Sequence, residues 1–175
     1  MNQKQTIKYI TNISYVAALA SIIGIIDKII VSSIFPLIPS LKIGLANVII
    51  LYCIQTKTFK EIIIIVLLKS ILVNLILGGI TSFLIGGTAS LISFLVMYIC
   101  NRYLKKHLTT ISISIIGGII HINIQLLIIM FIYDIGSIVY TYGIYLILIS
   151  IITSIIVGNI TKKAYKTIKK IEYNK

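Results

Sequence analysis

Long runs of apolar residues, separated by short polar or basic segments, make up most of the chain. The runs lack the alternation of a barrel strand, and several approach the roughly 20 residues with which an α-helix crosses hydrocarbon. Because lipid offers the backbone no hydrogen bonds, such runs are expected to be helical. The pattern predicts an all-α, polytopic membrane helix bundle of about six transmembrane helices.

We expect a single integral membrane domain over residues 1–175. The apolar stretch 62–100 is about twice as long as one crossing, so it is divided near Gly78-Gly79. A basic cytoplasmic tail, 161–175, follows the last span. The predicted spans are 13–35, a short one at 43–56, 62–79, 81–100, 110–132 and 138–160.

Composition and charge support this division. Charged residues make up 11% of the chain, against roughly 25% in soluble domains, which excludes a soluble fold. With the N-terminus inside, all but three of the 16 Lys and Arg fall on the inner side, as the positive-inside rule requires. The exceptions are Lys28 and Lys42 in outer segments and Lys69 within a span. We therefore expect both termini in the cytoplasm of a bacterial cell, and we interpret the net charge of +12 as binding to membrane lipid rather than nucleic acid.

Several polar residues lie at membrane depth. Lys69 falls near the middle of the third span, where a lysine costs about 2.5–3.5 kcal/mol on insertion scales. His121 is near the centre of the fifth span, and no acidic residue is expected at that depth. Simple hydrogen bonds between helices, or a lysine that snorkels, are the alternatives to a functional cavity. We predict an outward-opening cavity for an anionic or strongly polar ligand, with the loop Pro36–Ser40 as its lid and these substrate-binding residues: Lys42, Asn47, Lys69, His121 and Gln125.

Helical spacing groups some of these residues. Ser114, Gly118, His121 and Gln125 are four, three and four positions apart, so they form one stripe along the fifth span. Asn123 lies roughly opposite His121 and is expected to point elsewhere.

Small residues also form a flat face on the first span. Ala17, Ala18 and Ser21 permit the close approach of another helix, which is either internal or part of a second protein. We predict that they form a partner-coupling face.

No catalytic motif is evident. The chain has no phosphate loop and no aspartate-rich pair, and its acidic residues are scattered over both sides of the membrane at Asp27, Glu61, Asp134 and Glu172. The two cysteines have no metal-site spacing. We therefore expect no enzyme activity, no catalytic or metal-binding residues and no cofactor.

The order of short motifs resembles the Gx transporter family, which is labelled heptaprenyl diphosphate synthase component I. The resemblance covers roughly residues 14–130. It departs from the family at three positions: Asp27 replaces Glu, Lys69 replaces Arg, and Ile122 stands where the family has Asn. The matching elements are Asp27, Pro36, Pro39, Leu41-Lys42-Ile43-Gly44-Leu45-Ala46-Asn47, Lys69, Ser82-Phe83-Leu84-Ile85-Gly86-Gly87, Leu95-Val96-Met97, the basic loop from Arg102 to Lys106, and Gly117 through His121 to Gln125.

That family is similar to the substrate-binding S components of energy-coupling factor transporters. The resemblance implies a membrane-embedded substrate-binding subunit that captures a small molecule from outside. It further implies a transmembrane coupling protein and cytoplasmic ATPases as partners. The alternatives are a non-catalytic membrane partner of a polyprenyl diphosphate or quinone enzyme, as the family label suggests, and a component of an extracellular flavin or redox system.

Overall fold

The computed structural model describes residues 3–34, 44–133 and 136–173, with side chains for 136–142 and 172–173 excepted, and this part of the chain is all-helical. Its five helices are α1 (Gln3–Ile34), α2 (Asn47–Thr56), α3 (Phe59–Tyr103), α4 (Thr110–Tyr133) and α5 (Gly136–Tyr173). All of them except α2 contain a segment that is long and apolar enough to cross a membrane. The predicted helical membrane fold is confirmed, whereas the predicted number of six helices is wrong.

The difference in number arises in α3, which joins the predicted spans 62–79 and 81–100. Only Gly79 leaves the helical conformation, with φ 65° and ψ −163°, and glycine adopts such a positive φ at little cost. The rings of Phe59 and Phe94 stack at 5.6 Å between centroids, although a straight helix would hold them about 50 Å apart. The two halves of α3, before and after Gly79, therefore lie side by side and antiparallel.

The predicted second span, 43–56, is also corrected, because α2 begins only at Asn47. At 1.5 Å per residue α2 is about 15 Å long, half of the hydrocarbon thickness. It is preceded by a turn in which Gly44 has φ 96° and its carbonyl accepts the backbone N–H of Asn47 at 2.9 Å. Non-helical backbone at membrane depth is tolerated where protein surrounds it, and α2 contacts all four other helices.

The core consists of two apolar clusters, which we name inner and outer after the sides of the membrane that the sequence predicts for them. The inner cluster combines residues of α1, α2, both halves of α3 and α4, among them Ala17, Leu51 and Phe94. The outer cluster combines Val31 of α1 and Ile85 of α3 with residues of α4 and α5. Along α1 and α3, buried polar side chains lie between the two clusters, and they form most of the candidate site.

At the inner end, polar bonds tie the helices to one another. Lys57 Nζ donates to Asn12 Oδ1 at 3.1 Å, and Gln55 Nε2 donates to Thr110 Oγ1 at 3.2 Å. α5 continues as a helix to Tyr173, so most of the predicted tail, 161–175, extends this helix beyond its apolar part.

Candidate functional site

Asp27 fixes the turn before α2. Its carboxylate Oδ2 accepts the backbone N–H groups of Gly44 at 2.8 Å and of Leu45 at 3.3 Å, and its side chain is 1% exposed. These bonds satisfy two backbone donors that precede a helix start inside the bundle. The motif Gly44-Leu45-Ala46-Asn47 is thereby explained: Gly44 adopts the positive φ, and its N–H meets the acidic residue of α1.

Lys69 lies on the first half of α3, is 5% exposed, and attracts Asp27 electrostatically. The prediction that no acidic residue shares its depth is therefore wrong. Asp27 and Lys69 are far apart along the chain, and the parallel packing of α1 on the first half of α3, where Gly24 faces Val73 and Lys28 faces Gly78, brings their charges into electrostatic range. The carboxylate of Asp27 offsets part of the cost of burying the ammonium group of Lys69.

A chain of hydrogen bonds joins α1 to both halves of α3. Lys28 Nζ donates to Ser82 Oγ at 2.8 Å, Ser82 Oγ donates to Asn74 Oδ1 at 3.5 Å, and Asn74 Nδ2 donates to the carbonyl of Ser70 at 2.7 Å. The Ser70 hydroxyl is buried and has no hydrogen-bond partner among the described residues. We call Asp27, Lys28, Lys69, Ser70, Asn74 and Ser82 the outer polar cluster.

Lys28 was expected in an outer segment, and the structure shows that its side chain is buried inside the bundle. Its side chain is 4% exposed, and its ammonium group occupies the space that a Cβ atom on Gly78 would take. Glycine at position 78 thus lets Lys28 reach the bend of α3. Sequence reasoning missed Lys28, Asp27 and Ser82 as site residues, although the position of Asp27 and Lys28 within the predicted span 13–35 was a usable signal.

The predicted stripe on α4 faces the interior. Ser114, His121 and Gln125 are each at most 4% exposed, and Gln125 Nε2 lies 3.2 Å from His121 Nε2, one turn away. Asn123 instead donates to the carbonyl of Ile119 in its own helix at 2.7 Å and is only partly buried. The predicted division between the His121 side and the Asn123 side of α4 is confirmed.

Of the other predicted site positions, only Asn47 belongs to the described residues. Asn47 is 8% exposed at the start of α2, directly beside the Gly44 turn. Lys42 and the loop Pro36–Ser40 lie outside the described residues. In the structure, His121 lies next to Gln125, and Lys69 lies within electrostatic range of Asp27. That all five predicted residues line one cavity stays a prediction.

On α1, Ala17 and Ser21 are buried inside the bundle, and Ala17 belongs to the inner apolar cluster. The hydroxyl of Ser21 donates to the carbonyl of Ala17 at 2.7 Å, whereas Ala18 is exposed. The small side chains of Ala17 and Ser21 therefore allow close packing within the bundle. A partner surface at this level of α1 stays a prediction, and among the three residues Ala18 is the one that faces outward.

Charge counting limits the chemistry of the outer polar cluster. Among the described residues it contains two buried lysines, Lys28 and Lys69, and one buried carboxylate, Asp27. The described residues contain no group of three His, Cys, Asp or Glu side chains arranged to hold a metal ion. The cluster thus has an excess of positive charge and several hydrogen-bonding groups, which suits the binding of an anion.

The family model of heptaprenyl diphosphate synthase component I matches residues 16–164 of the chain. No curated protein and no solved structure matches the chain. The matched range includes the complete outer polar cluster, α2 and the stripe on α4.

Proposed function

The chain belongs to the heptaprenyl diphosphate synthase component I family, and from the outer polar cluster of this member we propose a membrane-embedded substrate-binding subunit of a small-molecule transporter. Its ligand is anionic or strongly polar and enters from the outer side. The observation that carries the proposal is the excess of buried positive charge, two lysines against one carboxylate among the described residues. A bound anion would balance this charge inside the apolar bundle.

Hydrogen bonding in the cluster supports the same proposal. The buried hydroxyl of Ser70 has no partner among the described residues, and a buried unpaired hydroxyl costs about 1–3 kcal/mol. A polar ligand between α1 and the two halves of α3 would bond to this hydroxyl and to the ammonium group of Lys28. His121 and Gln125 offer further polar groups from α4.

An energy-coupling factor type of transporter fits a subunit of this kind. In that arrangement the chain supplies the binding site. Cytoplasmic ATPases provide the energy for transport, and a transmembrane coupling protein transmits it to the chain. Support comes from the resemblance of the sequence motifs and from a helical bundle in which four of the described helices are long and apolar enough to cross a membrane.

The second candidate is a non-catalytic membrane partner of a polyprenyl diphosphate enzyme, which the family description favours. Mass spectrometry of small molecules released from the purified protein separates the two candidates. The transporter proposal expects one anionic or strongly polar compound in near-stoichiometric amount. Retention of lipid alone, together with co-purification of a soluble prenyl synthase, would favour the enzyme partner instead.

The transport proposal also requires a topology. We propose that each half of α3 crosses the membrane, so that the chain crosses six times with both termini in the cytoplasm. The basic inner segments support this arrangement.

Exposed positions test the topology. Single cysteines at Ser33 and at Thr81, beside the bend of α3, should react with a membrane-impermeant maleimide on intact cells, whereas Thr56→Cys and Ile171→Cys should react only after lysis. The native Cys53 and Cys100 are buried and are replaced by alanine in the background. Labelling of Thr81→Cys only after lysis would mean that α3 does not reach the outer surface.

A further inference from the structure

The outer polar cluster is closed to its surroundings. Its six side chains are all buried, and the most accessible of them, Lys69, is only 5% exposed. A ligand that reaches these side chains must therefore displace part of the structure that encloses them. The bend of α3 lies directly beside the cluster, because Ser82 follows it after three residues.

The bend is loosely packed. Residues 75–81 are all exposed, and a Cβ atom on Gly79 would meet no atom within 4 Å apart from its own neighbours along the helix. The φ of 65° and ψ of −163° at Gly79 lie in a region that is essentially restricted to glycine. Hinges are a few residues of this kind, which absorb a large change in φ and ψ while the packed helices on either side stay intact.

Lys28 ties the bend to α1. Its ammonium group donates to Ser82 Oγ at 2.8 Å, and Ser82 Oγ donates to Asn74 Oδ1 in the first half of α3 at 3.5 Å. Ser82 thus joins the three segments that surround the cluster. Lys28 reaches Ser82 through the space that a Cβ atom on Gly78 would occupy.

The second half of α3 is fixed more firmly below the bend. Ser93 Oγ donates to the carbonyl of Gly117 in α4 at 2.8 Å, and the side chain of Met97 fills the space beside that glycine. On the far side of α4, Gly118 packs directly against Ser154 of α5. Movement is therefore easiest at the bend itself.

We propose that the Lys28–Ser82 hydrogen bond is a latch, which holds the bend of α3 closed over the outer polar cluster until the ligand replaces Ser82 as the acceptor of Lys28. This inference rests on the proposed function. An anionic oxygen attracts an ammonium group more strongly than a neutral hydroxyl does, and burial away from water increases the difference. Binding of the ligand and release of the bend are then one exchange of hydrogen bonds.

A cysteine at position 70 reports on opening of the cluster. Ser70→Cys changes one atom of a buried side chain whose hydroxyl has no hydrogen-bond partner among the described residues, so the closed structure should tolerate it. The full chain without its native cysteines is purified in detergent, and its rate of reaction with the anionic reagent sulfonatoethyl methanethiosulfonate is measured. We expect Ser70→Cys to react at least about 100-fold more slowly than the exposed Thr81→Cys.

Loss of the latch should accelerate the reaction at position 70. Ser82→Ala removes the acceptor of Lys28 and should raise the rate by about tenfold or more, the factor that corresponds to a lost hydrogen bond to a charged group. Ser90→Ala is the matched control, because Ser90 is also a buried serine of α3 but donates to the carbonyl of Gly86 in its own helix at 2.7 Å. The control should change the rate by less than about twofold.

The hinge is tested separately by Gly79→Ala. Alanine has space at this position and is strained there by the positive φ, so this variant should also accelerate the reaction while the latch residues stay in place.

Equal rates in the Ser82→Ala and Ser90→Ala variants would contradict the latch. So would a reaction of Ser70→Cys as fast as that of Thr81→Cys, since the cluster would then be open already. Reaction only after unfolding, in every variant, would mean that the bend does not open. An equal acceleration by Ser82→Ala with the cationic trimethylammonium-ethyl reagent, at equal absolute rates, would support the latch and contradict the anionic ligand of the proposed function instead.

Discussion

Replacement of Asp27 by alanine is expected to lower the free energy of unfolding by about 3–5 kcal/mol, the range found when one partner of a buried charge pair is removed. The change withdraws the acceptor from the N–H groups of Gly44 and Leu45 and takes away the opposite charge near Lys69. The turn before α2 and the packing of α1 on α3 are therefore both weakened. Unfolding in mixed micelles, followed by circular dichroism, measures the effect.

Two further variants show whether charge pairing is the reason. Glu61→Gln alters a carboxylate in the exposed capping box at the start of α3, where glutamine keeps the same function, so it should cost less than about 1 kcal/mol. The double variant Asp27→Asn/Lys69→Met removes both buried charges and should be clearly more stable than Asp27→Asn alone. Strict additivity of the two single changes would mean that Asp27 and Lys69 do not interact.

Replacement of Lys28 by methionine is expected to weaken ligand binding by about 100-fold while the protein still inserts and folds. The loss of a hydrogen bond to a charged group costs about 1.5–3 kcal/mol, and 2.7 kcal/mol corresponds to a factor of 100. Methionine is unbranched and similar in length, so it fills the space beside Gly78 without the buried charge. Titration of the compound retained by the wild-type protein measures the change in affinity.

Ser82→Ala and Lys57→Met are the matched controls for Lys28→Met. Ser82→Ala removes the hydrogen-bond acceptor of Lys28 and keeps its charge, so its effect on binding should be smaller. Lys57→Met removes a lysine that bonds Asn12 at the inner end and should leave binding unchanged. If Lys28→Met binds as tightly as the wild type, the buried positive charge serves the fold alone.

The sequence pattern was sufficient to predict the helical membrane fold and the position of the bend in α3. Apolar runs set the helices, and the glycine pair at 78–79 marked the one place where the run 62–100 reverses direction. The predicted runs 62–79 and 81–100 correspond to the two halves of α3, and Gly79 is the non-helical residue at which they meet. The pattern did not show that the turn at Gly44 would delay the start of α2 to Asn47, because that turn depends on two bonds to Asp27 from another helix.

Within the site, features that follow from spacing along one helix were predictable, whereas contacts between helices were not. The inward-facing stripe with His121 and Gln125 follows from helical periodicity, and it was predictable. The proximity of Asp27 to Lys69 and the burial of Lys28 depend on how α1 packs against α3, which no spacing along the chain reveals. The positive-inside rule concerns only the side of the membrane on which Lys28 lies, so it could not reveal that this side chain is buried.

The location of the retained compound in an experimental structure of the complex tests the central claim most directly. We expect its anionic group within about 3 Å of Lys28 Nζ, next to the bend of α3 and in reach of the Ser70 hydroxyl. A compound bound only on the lipid-facing surface, with Lys28 still donating to Ser82 in a closed polar cluster, would contradict the proposal that this excess positive charge is a binding site.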